Sequence, residues 1–266
     1  SMLIIGEKLN GTLKKTAAAI AARDVAFVQD LAQRQVAAGA GYIDVNAGTA
    51  PAREPDDLVW LVDAVQEVTD TPLCLDSANP AALQAGLARV KRPPMINSIS
   101  GERNRLEGVL PLVAGNAAGV IALLLDDNGI PKDVEGRMAV ARRLLELTRA
   151  AGIADGQVYV DPLAIAVSTR QDGALVALDT MRALRAEAPE VKFSIGLSNI
   201  SFGLPIRKVV NRVFLTLALQ AGLDAAIMDP LDDSLYSELL GAELVLGRDR
   251  FCRKYTGAFR AGRIVA

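Results

Sequence analysis

Short apolar runs alternate with longer amphipathic stretches along the whole chain, and the alternation repeats eight times. The runs have the length and composition of strands: Leu3-Ile-Ile, Tyr42–Asn46, Leu73–Asp76, Met95–Asn97, Val120–Leu125, Val158–Asp161, Phe193–Leu197 and Ala225–Asp229. Between them apolar residues recur at three- and four-residue spacing, the period of a helix with one buried face. Leu58, Leu61, Val62, Val65 and Val68 make one such stripe after Pro55, and Val134, Met138, Ala141, Leu144, Leu145 and Thr148 make another. Asp24 is placed to cap a helix carrying Val25, Val28, Leu31, Ala32 and Gln35, with Gly39 as its stop. Further helices are predicted over about Pro80–Arg89, Ala174–Ala188 and Ser234–Leu246. Pro205 suits a first-turn position, so Ile206, Val209, Val210, Val213, Phe214 and Leu217 are expected to form the apolar face that follows. Gly6–Asn10 reads as a polar loop after the first strand.

Continuous apolar strands alternating with helices belong to a parallel sheet covered by helices. Eight such units close into a (β/α)8 TIM barrel of the α/β class. A doubly wound open sheet fits less well, because no Gly-x-Gly-x-x-Gly follows the first strand. No linker-like or low-complexity segment interrupts the pattern, so residues 1–266 are expected to form a single barrel domain, with Ser1 before Met2 read as a cloning remnant.

Composition narrows the chemistry. A formal net charge of -2 without a Lys/Arg block argues against nucleic acid as the main partner. No apolar run reaches the length of a membrane span, and no secretory n-region and h-region open the chain. Two cysteines far apart, Cys74 and Cys252, fit a reducing cytoplasm better than a disulfide framework. The chain contains no histidine, which removes the commonest general acid/base and the commonest zinc ligand together. A Ser-His-Asp triad and a histidine metal site are both impossible. Proton chemistry must run through carboxylates, amides, water or the ligand.

In a barrel of this kind the active site lies at the C-terminal ends of the strands. Those ends carry Glu7 and Asn10, Asp44 and Asn46, Asp76, Asn97, Asp126, Asp161, Ser198 with Asn199, and Asp229. Asp and Asn also form turns and cap helices, and Asp126 and Asp229, next to turn sequences, fit that role best. Asp76, Asn97 and Asp161 directly end apolar strands and are expected to aim over the mouth. A desolvated carboxylate there wants two parallel N–H donors. The 2-amino-4-oxo pyrimidine edge of a pterin presents such a pair, and so does guanine. Gly196, without a Cβ, leaves room for a flat ligand against the backbone. Cys74, two residues before Asp76, is better read as a small buried hydrophobe than as a nucleophile.

Taken together the motifs resemble the methyltetrahydrofolate–corrinoid protein methyltransferases of the pterin-binding barrel group. The resemblance runs from Leu3-Ile-Ile-Gly-Glu-Lys-Leu-Asn-Gly11 through Leu73-Cys-Leu-Asp-Ser77, Met95-Ile-Asn-Ser98, Gly129-Ile-Pro-Lys-Asp133 and Tyr159-Val-Asp-Pro162. It continues in Gly196-Leu-Ser-Asn-Ile-Ser201 and Val210-Asn-Arg-Val-Phe-Leu215. It implies a pterin-binding type of barrel, with Asp76, Asn97 and Asp161 around the pterin ring beside Gly196 and Ser198. Asn199 then falls on the catalytic position near N5, while Glu7, Asn10, Asp44, Asn46 and Arg207 match polar positions around the pocket. It also implies tetrahydrofolate or 5-methyltetrahydrofolate as substrate, a corrinoid (cobalamin) held by a partner corrinoid protein, no metal bound by this chain, and a homodimer. Dihydropteroate synthases share the barrel and the pterin. Their usual Gly-x-Ser-Arg-Lys is replaced here by Gly196-Leu-Ser-Asn-Ile, and their late Arg-x-His is impossible. A folate-binding barrel without catalysis is the other alternative.

Overall fold

The computed structural model describes residues 1–266. Eight parallel strands, β1 (Leu3–Asn10), β2 (Tyr42–Asn46), β3 (Leu73–Asp76), β4 (Met95–Gly101), β5 (Gly119–Asp126), β6 (Val158–Asp161), β7 (Lys192–Gly196) and β8 (Ala225–Met228), close in chain order into a barrel. The outer layer comprises α1 (Lys14–Ala22), α2 (Val25–Ala37), α3 (Glu54–Gln66), α4 (Pro80–Leu87), α5 (Arg103–Gly108), α6 (Leu110–Val113), α7 (Val134–Ala150), α8 (Gly173–Glu187), α9 (Arg207–Gln220), α10 (Asp233–Val245) and the C-terminal α11 (Arg253–Arg260). No helix is long and apolar enough to cross a membrane.

The residues that start and stop these elements do so for readable reasons. Asp24 accepts a hydrogen bond from the Phe27 amide at 3.1 Å, and Asn79, Asp133 and Asp232 cap α4, α7 and α10 in the same way. Gly39, at φ 110°, takes the left-handed position after α2. Most of the apolar surface is buried between sheet and helices. A smaller set of side chains, Ile5, Cys74, Met95, Ile121 and Ala225, fills the barrel itself, so the lumen is packed and any ligand must sit at its mouth. Cys74 is a free, fully buried thiol in that layer.

Several expectations are corrected. The stretch Gly6–Asn10 is not a loop: β1 runs to Asn10, because an irregularity between Gly6 and Leu9 lets the strand re-register against β2. Likewise β4 continues past Asn97 to Gly101, and α1 and α11 are helices that the apolar spacing did not mark. Pro205 does not start α9, which opens at Arg207 behind a left-handed Ile206 (φ 49°). The face of α9 that packs inward is Phe214, Leu215, Ala218 and Leu219, whereas Ile206, Val209, Val213 and Leu217 are exposed.

Beside the mouth, the Gly11 amide donates to Asn46 O at 2.7 Å, tying the end of β1 to that of β2. A Cβ on Gly11 would lie 1.8 Å from the Ala47 carbonyl oxygen, a backbone atom that cannot swing aside. Gly11→Ala is therefore expected to cost ~1–3 kcal/mol of stability, the scale of overpacking. Urea unfolding would measure this, and an unchanged midpoint would mean the two loops yield freely.

Candidate functional site

The ends of β2, β3 and β4 bring four of the expected residues into one polar network. Asp76 is directly beside Asn97 in the ladder, and Asn46 Nδ2 donates to Asp76 Oδ2 at 3.1 Å. Asp44 is almost fully buried one strand away, within hydrogen-bonding reach of Asp76, Asn97 and Cys74. Its Oδ2 has no donor facing it. Two carboxylates can lie together in such a place only if a proton sits between them. Burial, and then the charge of Asp76, raise the Asp44 pKa well above the carboxylate range, so Asp44 keeps the proton and donates to Asp76. Burial raises Asp76 too, but the donors Asn46 and Asp44 and the charge of Arg105 pull it back. Arg105 Nη1 donates to Ser98 O at 3.2 Å and to Ser77 O at 3.4 Å, bridging β4 just past Asn97 and the loop that follows Asp76. Ser77 in turn donates through its hydroxyl to Glu54.

Asp161 is organised differently. Its Oδ1 accepts from the Leu163 amide at 2.8 Å, so it serves the turn after β6 as well as facing the mouth. Burial pushes its pKa up to about 6, opposed by that amide and by Arg137. Arg137 is wholly buried. Its Nε donates to Pro131 O at 3.1 Å and its Nη1 to Pro162 O and Leu163 O, both at 2.8 Å. It thereby joins the loops after β5 and β6 and holds Leu163 at φ 60°, a conformation non-glycine residues seldom take. The pattern held a signal for this residue. Arg137 stands on the buried stripe of α7 beside Met138 and Ala141, where a cation is out of place unless it has carbonyl partners. Arg105, in a polar stretch, gave no such sign.

Ser198 and Asn199 lie in a 3-10 turn, Leu197–Ser201, directly after β7. A Cβ on Gly196 would come within 3.2 Å of Asn199 Nδ2, so the missing side chain at Gly196 makes room for the Asn199 amide as much as for a ligand. Arg207 braces this turn from α9: its Nη2 donates to Ser198 O at 2.6 Å and its Nε to Ser201 Oγ at 2.9 Å. Asp161, Gly196 and Asn199 share a cavity of about 300 Å³ whose wall is otherwise mainly apolar, Ile130 and Phe202 included. Asp76, Asn97 and Asp44 lie outside it. A larger cavity, about 590 Å³, lies between α9, α10 and the C-terminal residues, and none of the strand-end residues lines it.

Glu7 stands on β1, where burial and the neighbouring charge of Asp229 push its pKa up to about 7 against the pull of Lys8 and Arg207. Lys8 pairs with Asp229 at 3.3 Å. Three strand-end residues are engaged in turns: Asn10 accepts from Thr12 N and Oγ1, Asp126 from Asn128 N, and Asp229 from Leu231 N.

Comparison with known proteins identifies the family. The model of the pterin-binding enzyme family matches residues 6–229, and the chain belongs to that family. It is 41% identical over 265 residues, 99% of this chain and 98% of the relative, to a methylcorrinoid:tetrahydrofolate methyltransferase of Eubacterium limosum. It is 34% identical to a methionine synthase of Mycobacterium leprae across 86% of this chain but only 20% of that much longer protein. Among solved structures it resembles the dihydropteroate synthases of Coxiella burnetii (TM-score 0.69, 15% identity, 92% and 93% of the two chains) and Stenotrophomonas maltophilia (TM-score 0.68, 18% identity, 92% of each). At such identities the likeness concerns the fold.

The raised carboxylates have a consequence for stability. Asp161 and Glu7 hold protons more tightly in the folded than in the unfolded chain, so the native state carries the excess protons between the ordinary carboxylate range and about 6 and 7, respectively. That stabilisation is complete below the unfolded pKa and is lost as pH rises through the folded one. The ligand-free protein should melt at a lower temperature at pH 8 than at pH 5.5. Glu7→Gln should flatten the part of the slope near pH 7. A variant with the wild-type slope there would show that Glu7 titrates as an ordinary carboxylate.

Proposed function

We propose that this protein moves a methyl group between N5 of 5-methyltetrahydrofolate and the cobalt of a corrinoid held by a partner protein. The observation that carries the proposal is the 41% identity, over nearly the full length of both chains, with a relative named for that reaction. The missing histidine is consistent with the cobalt coming from elsewhere, because the chain has no imidazole to offer it.

In the direction away from folate, cobalt(I) attacks the methyl carbon, a Co–C bond forms and the C–N5 bond breaks. The electron pair of that bond goes to N5, which must be protonated or strongly hydrogen-bonded to leave. In the other direction N5 attacks the methyl carbon of methyl-cobalt(III), cobalt(I) departs with the pair, and N5 loses its proton. In this reading Asp76, Asn97 and Asp161 bind the pterin edge, with Ser198 and Gly196 beside the ring and Asn10, Asn46 and Arg207 shaping the pocket. Asp44 acts through Asp76, whose charge it steadies by donating its proton. Asn199, which has the clearance left by Gly196, hydrogen-bonds N5 and favours its protonated form. Glu7, whose proton leaves near neutrality, is the carboxyl suited to exchange that proton through water. The similarity to dihydropteroate synthases concerns the fold, and the condensation chemistry would lack its basic residues here.

The experiment is methyl transfer from 5-methyltetrahydrofolate to cob(I)alamin, with folate affinity measured by calorimetry. Asp76→Ala is expected to weaken folate binding by ~1.5–3 kcal/mol, the scale of a charge-assisted hydrogen bond. Asn199→Ala is expected to bind folate but transfer at least roughly 10²-fold more slowly. In this direction the rate should rise with pH as Asp161 ionises near 6 and fall as Glu7 loses its proton near 7. Normal turnover in Asn199→Ala would remove that residue from the mechanism. Folate binding with no transfer would leave a folate-binding barrel, and no binding at all would leave a barrel of other substrate.

The same reading places the protein in the cytoplasm as a homodimer. The exposed stripe of Val209, Val213 and Leu217 on α9, with Val245 at the end of α10, supports a second copy as the cover for that face. Sedimentation should give twice the mass of the chain for the wild type and a monomer for Val213→Lys with Leu217→Lys; a wild-type monomer would refute the dimer.

A further inference from the structure

Two large apolar side chains stand half in solvent on the wall of the cavity that holds Asn199. Phe202 is 66% exposed and Ile130 is 43% exposed, and both line the same 300 Å³ space as Asp161, Gly196 and Asn199. Phe202 follows Asn199 by three residues and comes from the loop after β7; Ile130 comes from the loop after β5. An aromatic ring left in water gains nothing for the fold, yet the chain fixes this one in place. The Phe202 amide donates to Asn199 O at 3.3 Å and its carbonyl accepts from Ser168 Oγ at 2.6 Å. The Arg207 guanidinium lies 5.9 Å from the ring centroid, and Gly203 at φ 79° turns the backbone away directly afterwards. A bulky apolar group held rigidly and left uncovered is the anatomy of a docking anchor.

We propose that Ile130 and Phe202 form an apolar lip on which the macrocycle of the partner's corrinoid packs as its cobalt approaches the methyl group. This rests on the methyl-transfer reading above. The geometry commits the occupant. Because Phe202 and Asn199 share one short turn, a group bearing on the Phe202 ring is brought to the place where the reaction happens. The reacting group must be broad and flat, since cobalt reacts along the normal to its ring. A corrin face is largely hydrocarbon and matches the apolar side chains of the lip, with its amide-bearing edge left free to face Arg207 and the other polar residues around the mouth. The stripe on α9 assigned to the second copy is a different surface, carried by Val209, Val213 and Leu217.

The test is steady-state transfer from 5-methyltetrahydrofolate to cob(I)alamin by the wild type, Phe202→Ala and Ile130→Ser, with each substrate varied in turn. Phe202→Ala should raise KM for cob(I)alamin about tenfold, a loss of roughly 1.4 kcal/mol, and KM for the folate by far less. Ile130→Ser should change the same ratio in the same sense. Equal rises in the two KM values would assign the lip to the folate, whose aminobenzoyl ring would then be the occupant, and would overturn the proposal. Unchanged KM values with altered sedimentation would assign it to a second copy and overturn it as well. Wild-type protein that binds the folate but transfers nothing to cob(I)alamin would count against the methyl-transfer reading itself, and the lip proposal would fall with it. Phe202 and Ile130 are surface positions, so both variants should fold, and a wild-type melting temperature checks that they do.

Discussion

The whole mouth depends on one constraint: acidic side chains must be held close together, largely out of water, in a chain without a histidine to neutralise them. The structure meets it in two ways. One carboxyl, Asp44, retains its proton and becomes a donor to the next, Asp76. Elsewhere arginines carry the compensating charge, and they do so while hydrogen-bonded to the carbonyls of the very loops that position the acids. Arg105 joins the loop after β3 to β4 itself, Arg137 joins the loops after β5 and β6, and Arg207 braces the turn bearing Asn199. Because their donors face backbone oxygens and, for Arg207, the Ser201 hydroxyl, these arginines set the potential at the mouth without forming ion pairs that would block the carboxylates from a ligand.

This division of labour explains why the fold was more legible than the site. Apolar period and strand length are properties of local sequence, and β2, β3 and β6 fall where the apolar runs place them. The second half of the first strand escaped notice because Glu7, Lys8 and Asn10 are polar. They are polar because they reach the mouth, so the feature that hid the strand is the one that gives it a chemical role. The α9 stripe misled for a related reason. Apolar residues at helical spacing can face either the core or another protein surface, and nothing in the spacing distinguishes the two. Ile206, Val209 and Val213 face outward.

Among the strand-end residues, identity alone could not separate turn formation from ligand binding, and the structure shows that turn formation and a place on the cavity wall are not exclusive. Asp126 and Asp229 accept from amides two residues on, as turn-forming aspartates do. Asp161 makes the same kind of turn, yet it lines the cavity with Asn199. Asp76 makes none and is held instead by a side-chain amide, Asn46. Long-range partners such as Arg137 were visible only as an anomaly, a cation on a buried stripe. Its three carbonyl acceptors are contributed by loops 6 to 26 residues away, which no local pattern can specify.

In the proposed reaction Asn199 suits proton handling at an amine. A carboxylate at that position would attract a proton away from N5 or repel neighbouring acids, and a cation would oppose the protonated amine. An amide has neither charge, and it can turn either its oxygen or its nitrogen toward the ring. Such freedom requires space, which Gly196 provides by lacking a Cβ where one would press on Asn199 Nδ2. It also requires a backbone that does not move with the side chain, which the Arg207 and Ser201 bonds to Ser198 O provide. In that reading, a neutral amide on a fixed turn, with titratable carboxyls set back from it, is a solution to proton transfer that a chain without histidine can build.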